Sequence, residues 1–153
     1  QKETLPGHYI IKGLEVTPLR IISTEGGDVY HLMKNTDNGF VGFGEAYFSS
    51  INPGAIKAWK RHHNMTLNLA VPTGEIRFVL YDDRLKGDAL FNEFILSKEN
   101  YFRLTIPPMV WVGFQGLGKS SSMLINIASI PHDPNEFDIR KLDEIYFNWK
   151  ENQ

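Results

Sequence analysis

The sequence predicts an antiparallel all-β protein, and three observations support this fold class. Its apolar residues fall in short runs, many of which alternate with polar residues, as in strands with one buried face. Almost every interval between the runs carries the Gly, Pro, Asn or Asp that turns require. The runs recur at intervals of roughly ten residues, which is typical of a β-sandwich or barrel.

The predicted strands follow one another along most of the chain. In order, the runs are IIKGLEVTPLRII, VYHLMK, FVGFGEAYFSSI, AIKAW, MTLNLAV, EIRFVLYDD, NYFRLTI, MVWVGF and SMLINIASI. Turn sequences such as STEGGD, NTDNG, NPG and PTG separate them. β-Branched and aromatic residues, which suit a pleated and half-buried surface, are frequent in the runs.

Only the end of the chain has the spacing of a helix. After an Asp-Pro-Asn start, Phe137, Leu142, Ile145 and Tyr146 can share one helix face. We therefore expect a short C-terminal helical segment.

Length and composition indicate one soluble domain over residues 1–153. The chain is 42% hydrophobic, and its Gly and Pro residues are spread out rather than gathered in a linker. The formal charge of -2 leaves no basic face for a nucleic-acid backbone, and the absence of cysteine excludes disulfide scaffolds and thiolate zinc sites. The first residues lack the apolar core of a secretory signal, and no apolar run is long enough to cross a bilayer. We expect a cytoplasmic protein with neither nucleic acid nor membrane as a partner.

The segment GFQGLGKS at 113–120 fits the phosphate-loop pattern G-x-x-x-x-G-K-[ST]. A phosphate loop needs a helix directly after it. The residues that follow, SSSMLINIASI, are rich in Ser and β-branched types and favour a strand. We interpret the match as a chance one within a hairpin, where Gly116 and Gly118 supply positive φ.

The densest group of ionisable side chains is KAWKRHHN at 57–64. Such a cluster can hold a diphosphate and polarise a sugar carbonyl, and the alternative is a solvated strand end carrying like charges. In a strand, Lys60 and His62 share one face about 7 Å apart, whereas His62 and His63 point to opposite faces and cannot both bind one metal ion. Lys57 reaches the face of Lys60 only if the strand is bulged between them.

Three segments, taken in order, resemble the dTDP-4-dehydrorhamnose 3,5-epimerase family of the cupin superfamily. They are GEAYFSSINPGAIKAWKRHHNMTLNLAVPTGEIRFVLYDDR, FRLTIPPMVWVGFQG and INIASIPHDPNEFDIRKLDEIYFNW, and they span about Gly44 to Trp149. The resemblance implies a jelly-roll β-barrel whose mouth binds a nucleotide-diphosphate 4-keto-6-deoxy sugar for bacterial surface polysaccharide such as lipopolysaccharide O-antigen. It implies a homodimer and no metal or organic cofactor. The apolar runs FVGFGEAYF and IIKGLEVTPLRII also favour a dimer interface.

The resemblance also implies a mechanism. In the family, a histidine removes the proton beside the keto group, basic residues stabilise the enolate, and a tyrosine returns a proton on the other face. This chain differs at the matching positions. Lys60 stands at the position of the base, Asn126 at that of the active-site tyrosine, and His132 where a second tyrosine is common. Val112 stands where many relatives have histidine.

The catalytic candidates are Lys60, His62, Asn126 and His132. The candidates for substrate binding are Lys57, Arg61, Asn68 and Trp111. The resemblance implies that Lys57 matches a basic position that helps to hold the phosphate or keto oxygen in the family. Trp111 can line the pocket, although a place in the core is the favoured interpretation. Three functions stay open. They are an epimerase or isomerase with an altered acid and base set, a catalytically silent cupin that binds a nucleotide sugar, and a sugar ketoisomerase on the same barrel.

Overall fold

The computed structural model describes residues 10–85, 87 and 89–150, and these contain twelve β-strands. The strands are β1 (Glu15–Pro18), β2 (Ile21–Ile22), β3 (Val29–Tyr30), β4 (Glu45–Ile51), β5 (Ile56–His62), β6 (Leu67–Thr73), β7 (Glu75–Asp82), β8 (Leu90–Ser97), β9 (Phe102–Ile106), β10 (Trp111–Gly116), β11 (Ser122–Ala128) and β12 (Phe137–Ile139). A single 3-10 turn, Leu142–Glu144, is the only helical element in this part of the chain. No helix within it is long and apolar enough to span a membrane.

Two five-stranded antiparallel sheets make up the body of the protein. Sheet A has the strand order β1-β9-β6-β11-β4, and sheet B has the order β12-β5-β10-β7-β8. The strands β2 and β3 form a separate two-stranded ribbon. Successive strands such as β4 and β5, β6 and β7, and β10 and β11 lie in different sheets, as in a jelly roll. The all-β prediction is confirmed.

The main core lies between the two sheets. Leu69 and Val71 from sheet A and Phe78 and Leu80 from sheet B belong to one continuous cluster of buried side chains. Alternate residues of each strand reach this cluster because successive side chains of a strand point to opposite faces. The core therefore fixes the spacing of the two sheets.

A second apolar cluster covers the outer face of sheet B. Trp59 of β5 and Trp111 of β10 are buried there beneath Ile145 and Trp149 of the C-terminal segment. The rings of Trp59 and Trp149 lie 5.6 Å apart. Large aromatic side chains contribute strongly to packing, so this cluster anchors the end of the chain on the sheet.

The predicted C-terminal helix is wrong. Phe137–Ile139 form β12, which pairs with the edge of β5, and only Leu142–Glu144 make a 3-10 turn. Ile145 is buried while Tyr146 is exposed, so the expected helix face does not exist. Backbone hydrogen bonds to β5 and the burial of Trp149 outweigh a weak helical spacing, because a short helix has little stability of its own.

The segment GFQGLGKS connects the two sheets. The strand predicted after it is confirmed as β11, but β10 pairs in sheet B and β11 pairs in sheet A, so the predicted hairpin is wrong. Positive φ is also absent at Gly116 and Gly118. Gly116 is instead required by close packing, because a Cβ there would collide with the carbonyl oxygen of Asn52.

Candidate active site

A cavity of about 660 Å³ opens between the two sheets, a volume suited to a small-molecule site. Its apolar lining includes Leu69 and Leu124 from sheet A and Phe78 and Phe114 from sheet B. Its polar side chains come mainly from β4, β5 and β11 and are Glu45, Ser49, Tyr47, Lys57, Lys60, His62, Asn126 and His132. The cavity therefore brings together five of the eight residues that the sequence proposes for the site.

A bulge in β5 places three of these five residues in the cavity wall. Opposite β10, Gly113 pairs with Ala58 and Val112 pairs with Lys60, so the register shifts within β5. Lys57 thereby joins Lys60 and His62 in the lining, as the sequence analysis requires for a bulged strand. A Cβ on Gly113 would lie 2.8 Å from Cβ of Ala58, so the bulge needs glycine opposite it.

His62 is paired with a buried carboxylate. Its Nδ1 lies 2.7 Å from Oε1 of Glu136, and the two side chains are 9% and 4% exposed. The other carboxylate oxygen of Glu136 accepts hydrogen bonds from the backbone amides of Asn64 and Met65 at 2.7 and 2.8 Å. The pairing of β12 with β5 brings Glu136 to this position, because Phe137 lies directly opposite His62.

The surroundings of Glu136 determine which ring nitrogen of His62 is available. Burial raises the pKa of Glu136, but the hydrogen bonds from His62 and the two amides outweigh it and hold the pKa of this carboxyl below its usual 4.5. An ionised carboxylate only accepts hydrogen bonds, so Nδ1 of His62 carries a proton and donates it. Nε2 is then the basic nitrogen that can face the cavity, an arrangement able to remove a proton from a bound molecule.

Two lysines supply positive charge to the same wall. Nζ of Lys60 lies 4.2 Å from the centre of the Phe137 ring. Nζ of Lys57 donates a 3.0 Å hydrogen bond to the carbonyl of Ser50. The ring of His132 also lies near that of Phe137, with the ring centroids 5.8 Å apart. The ammonium groups of the two lysines can stabilise anionic oxygens of a ligand in the cavity.

Asn126 lines the cavity but is fully buried, and both polar atoms of its side chain form hydrogen bonds within the protein. Its Oδ1 accepts a 3.0 Å hydrogen bond from the backbone amide of Asn68, and its Nδ2 donates a 3.0 Å bond to Oη of Tyr47. The side chain of Asn68 is directed elsewhere, with its Nδ2 bonded to the carbonyl of Gly39 and its Oδ1 accepting from Thr105. Asn68 does not line the cavity.

Arg61 and Trp111 lie on the outer face of sheet B, away from the cavity. Arg61 bonds to Asp138 at 2.7 Å and stacks over Trp111 at 4.5 Å. His63 is also on this side, 3.0 Å from Asp138, so the prediction that His62 and His63 point to opposite faces is confirmed. This group fastens β12 to β5 and so holds the strand that follows Glu136.

Sequence reasoning missed four of the polar residues that the cavity and the His62 pair use. Glu45, Tyr47 and Ser49 alternate along β4 and line the cavity, a pattern visible in the sequence EAYFS. Glu136 had no such signal, because its role depends on a contact 74 positions away in the chain. Within the described ranges, no group of three His, Cys, Asp or Glu residues is placed to hold a metal ion.

No family model matches the chain. The chain is, however, similar to a solved structure, a dTDP sugar isomerase from Desulfovibrio desulfuricans G20. The match covers 94% of this chain and 94% of that chain, with 38% sequence identity and a TM-score of 0.88. The chain belongs to the dTDP-sugar epimerase and isomerase family of cupins.

Further similarities agree with the dTDP-sugar epimerase and isomerase family. The spore coat polysaccharide biosynthesis protein SpsL of Bacillus subtilis is 28% identical, over 92% of this chain and 97% of the relative. A probable low-salt glycan biosynthesis epimerase of Haloferax volcanii is 27% identical, over 86% and 87%. The fold is shared with the dTDP-6-deoxy-D-glucose-3,5-epimerase of Legionella pneumophila in complex with dTDP-4-keto-L-rhamnose, at 20% identity and a TM-score of 0.75, over 86% and 74%.

Proposed function

We propose that this protein is an epimerase or isomerase of a nucleotide-diphosphate 4-keto-6-deoxy sugar and works by removing the proton beside the keto group. The observation that carries the proposal is the buried pair of His62 and Glu136 in the wall of a cavity of suitable size. Membership of the dTDP-sugar epimerase and isomerase family supports a dTDP sugar as the substrate.

In the proposed reaction, His62 is the general base. Its Nε2 takes the proton from the carbon beside the keto group, and the electron pair of the C–H bond forms an enolate. The ionised Glu136 holds the ring in the required tautomer and stabilises the imidazolium that results. This assignment favours His62 over Lys60, which the sequence analysis places at the position of the base.

Lys60 and Lys57 then have electrostatic roles. Lys60 stabilises the negative charge that develops on the keto oxygen, a role supported by its position in the same cavity wall as His62. Lys57 binds a phosphate of the diphosphate, a role supported by the bulge that brings it into the cavity lining.

The product is proposed to enter surface polysaccharide. The similarity to proteins of spore coat polysaccharide and glycan biosynthesis supports this place in metabolism.

The deciding experiment is proton exchange in deuterated water with a panel of dTDP 4-keto-6-deoxy sugars, followed by NMR. Deuterium at C3 or C5 with inversion identifies an epimerase, and a displaced keto group identifies a ketoisomerase. We expect His62→Gln and Lys60→Met each to lower the exchange rate by roughly 10²–10⁴-fold, because each group acts in the transition state of the proposed reaction. If the wild type binds a dTDP sugar but exchanges no proton in it, the epimerase and ketoisomerase hypotheses are excluded, and the protein is a catalytically silent nucleotide-sugar-binding cupin.

A further inference from the structure

Glu45 carries the only carboxylate among the described residues that line the cavity. It lies at the start of β4 and is partly buried. Its side chain makes no hydrogen bond or ion pair with any other residue that the structure describes, whereas the carboxylates of Glu136 and Asp138 are both paired. The carboxylate of Glu45 is therefore available to a ligand.

The surroundings of Glu45 place it at the same end of the cavity as His62. A Cβ on the preceding Gly44 would collide with the backbone of the segment that leads to His132, so the start of β4 packs against that segment. The ring of His132 lies near that of Phe137, and Phe137 is opposite His62 in the pairing of β12 with β5. This end of the cavity thus carries the proposed base and a free carboxylate on different sheets.

Lys57 marks the other end of the cavity. Its Nζ donates a hydrogen bond to the carbonyl of Ser50, near the end of β4. A strand advances about 3.3 Å per residue, so Ser50 and Glu45 lie roughly 16 Å apart. If Lys57 holds a phosphate of the diphosphate, the sugar ring lies towards His62 and Glu45.

The hydroxyl groups of a bound sugar need hydrogen-bond acceptors. A 4-keto-6-deoxy hexose joined to a diphosphate keeps hydroxyl groups at C2 and C3, and burying an unpaired hydroxyl costs free energy. The lysines of the cavity can only donate, and the amide oxygen of Asn126 already accepts from the backbone. A carboxylate only accepts, and its two oxygens suit two neighbouring O–H groups.

We propose that Glu45 determines sugar specificity by accepting hydrogen bonds from the C2 and C3 hydroxyl groups. This inference rests on the proposed function for the orientation of the substrate. A site built to bind a hydroxyl group rejects the analogue that lacks it, because the polar group of the protein is then left unpaired. Glu45 therefore selects sugars that carry both hydroxyl groups, and the nucleotide takes no part in the contact.

The test compares the binding of dTDP with that of dTDP-6-deoxyglucose, which has no keto group and so binds without proton exchange. We expect Glu45→Ala to lower the affinity for dTDP-6-deoxyglucose by about 10–100-fold, the scale of hydrogen bonds to a charged group, and not to weaken the binding of dTDP. Isothermal titration calorimetry will measure both affinities. The matched control is Glu25→Ala, which changes an exposed glutamate outside the cavity lining and should bind both molecules as the wild type does.

An analogue without the two hydroxyl groups distinguishes a direct contact from a change in the shape of the cavity. The wild type should bind the 2,3-dideoxy analogue of dTDP-6-deoxyglucose about 10–100-fold less tightly than dTDP-6-deoxyglucose itself. Glu45→Ala should bind the two sugars with similar affinity, because the partner of the hydroxyl groups is already absent. Glu45→Gln keeps one acceptor oxygen, so it should retain part of the preference.

The outcomes separate this inference from the proposed function. An equal loss of affinity for dTDP and dTDP-6-deoxyglucose in Glu45→Ala, or no loss for either, would overturn the role of Glu45 and leave that of His62 intact. If Glu45→Ala does not fold, Glu45→Gln decides, and an undiminished preference for the hydroxyl groups in that variant would overturn the role. A wild type that shows the expected preference but exchanges no proton in any keto sugar would overturn the proposed reaction and leave this inference intact.

Discussion

The carboxylate of Glu136 lies 2.7 Å from Nδ1 of His62 across the pairing of β12 with β5, although 74 positions separate the two residues in the chain. The pair is assembled by tertiary structure alone. Its consequences for activity and for stability can be tested separately.

We predict that Glu136→Gln lowers kcat by roughly 10²–10⁴-fold with little change in KM, because the ring of His62 loses the anion that fixes its tautomer and stabilises its charged form. Steady-state kinetics with the sugar identified by the exchange panel will measure this. Glu99→Gln, which changes an exposed glutamate away from the cavity lining, is the control and should leave both constants unchanged. A Glu136→Gln enzyme with wild-type kcat would exclude Glu136 from the mechanism.

We also predict that Glu136 makes stability depend on pH in the acid range. The pKa of Glu136 in the folded protein lies below its ordinary value of 4.5, so the folded state favours the ionised form. The resulting stabilisation is fully present above pH 4.5 and is lost as the pH falls through the lower folded value. Melting temperatures of the wild type and Glu136→Gln should therefore differ most at neutral pH and converge on acidification. A constant difference at all pH values would contradict the prediction.

Substitution of the cavity residue Lys57 should weaken substrate binding, whereas substitution of Lys119 in the GFQGLGKS segment should not. Lys57→Ala should weaken binding of the dTDP sugar by about tenfold, the scale of one charge-assisted hydrogen bond. Lys119→Ala should leave the affinity unchanged, because that lysine follows β10 in the connection between the sheets and does not line the cavity. Isothermal titration calorimetry will measure both affinities. A larger loss of affinity in Lys119→Ala than in Lys57→Ala would contradict the assignment of Lys57 to substrate binding.

A homodimer through the N-terminal half of the chain stays a prediction, and the structure supplies its test. Val41, Phe43 and Phe48 are each about two-thirds exposed in or next to the edge strand β4. Exposed apolar side chains at a sheet edge are typical of an interface between chains. Sedimentation should report about twice the chain mass of 17.5 kDa.

Two substitutions make the dimer prediction specific. Phe48→Asp should shift the equilibrium to monomer, because a charge on this surface would have to be buried on association. Leu85→Asp changes an equally exposed apolar residue outside β4 and should leave the mass unchanged. A wild type that sediments as a monomer at micromolar concentration would end the proposal.

The sequence predicts the part of the site that depends on local pattern. Strand alternation is enough to place Lys60 and His62 on one face and His63 on the other. The alternation of Glu45 and Tyr47 is just as visible, but the apolar neighbours of Tyr47 favour an interface interpretation of the same strand. A single chain does not reveal which face of an edge strand meets the cavity.

Contacts between distant segments account for what the sequence does not predict. It assigns no strand to residues 90–97, where Asn92 and Glu93 interrupt the apolar alternation. Asn92 is nevertheless buried, because its Oδ1 accepts a 2.8 Å hydrogen bond from the amide of Ile11. The C-terminal helix fails for the same reason, since the edge of β5 is a partner that spacing along the tail cannot reveal.

The short length of β12 links the proposed catalysis to local unfolding. This edge strand has three residues, and its neighbourhood is held by the bond from the His63 amide to the carbonyl of Glu136 and by the reciprocal bonds between Trp59 and Arg140. Short edge elements open with a lower free energy than the whole domain, and amide hydrogen exchange reports such opening. Each opening separates Glu136 from His62 while the other strands of both sheets stay folded. Heating should therefore abolish the proposed activity in a reversible step below the melting temperature, and hydrogen exchange at the amides of His63 and Arg140 should rise over the same temperature interval.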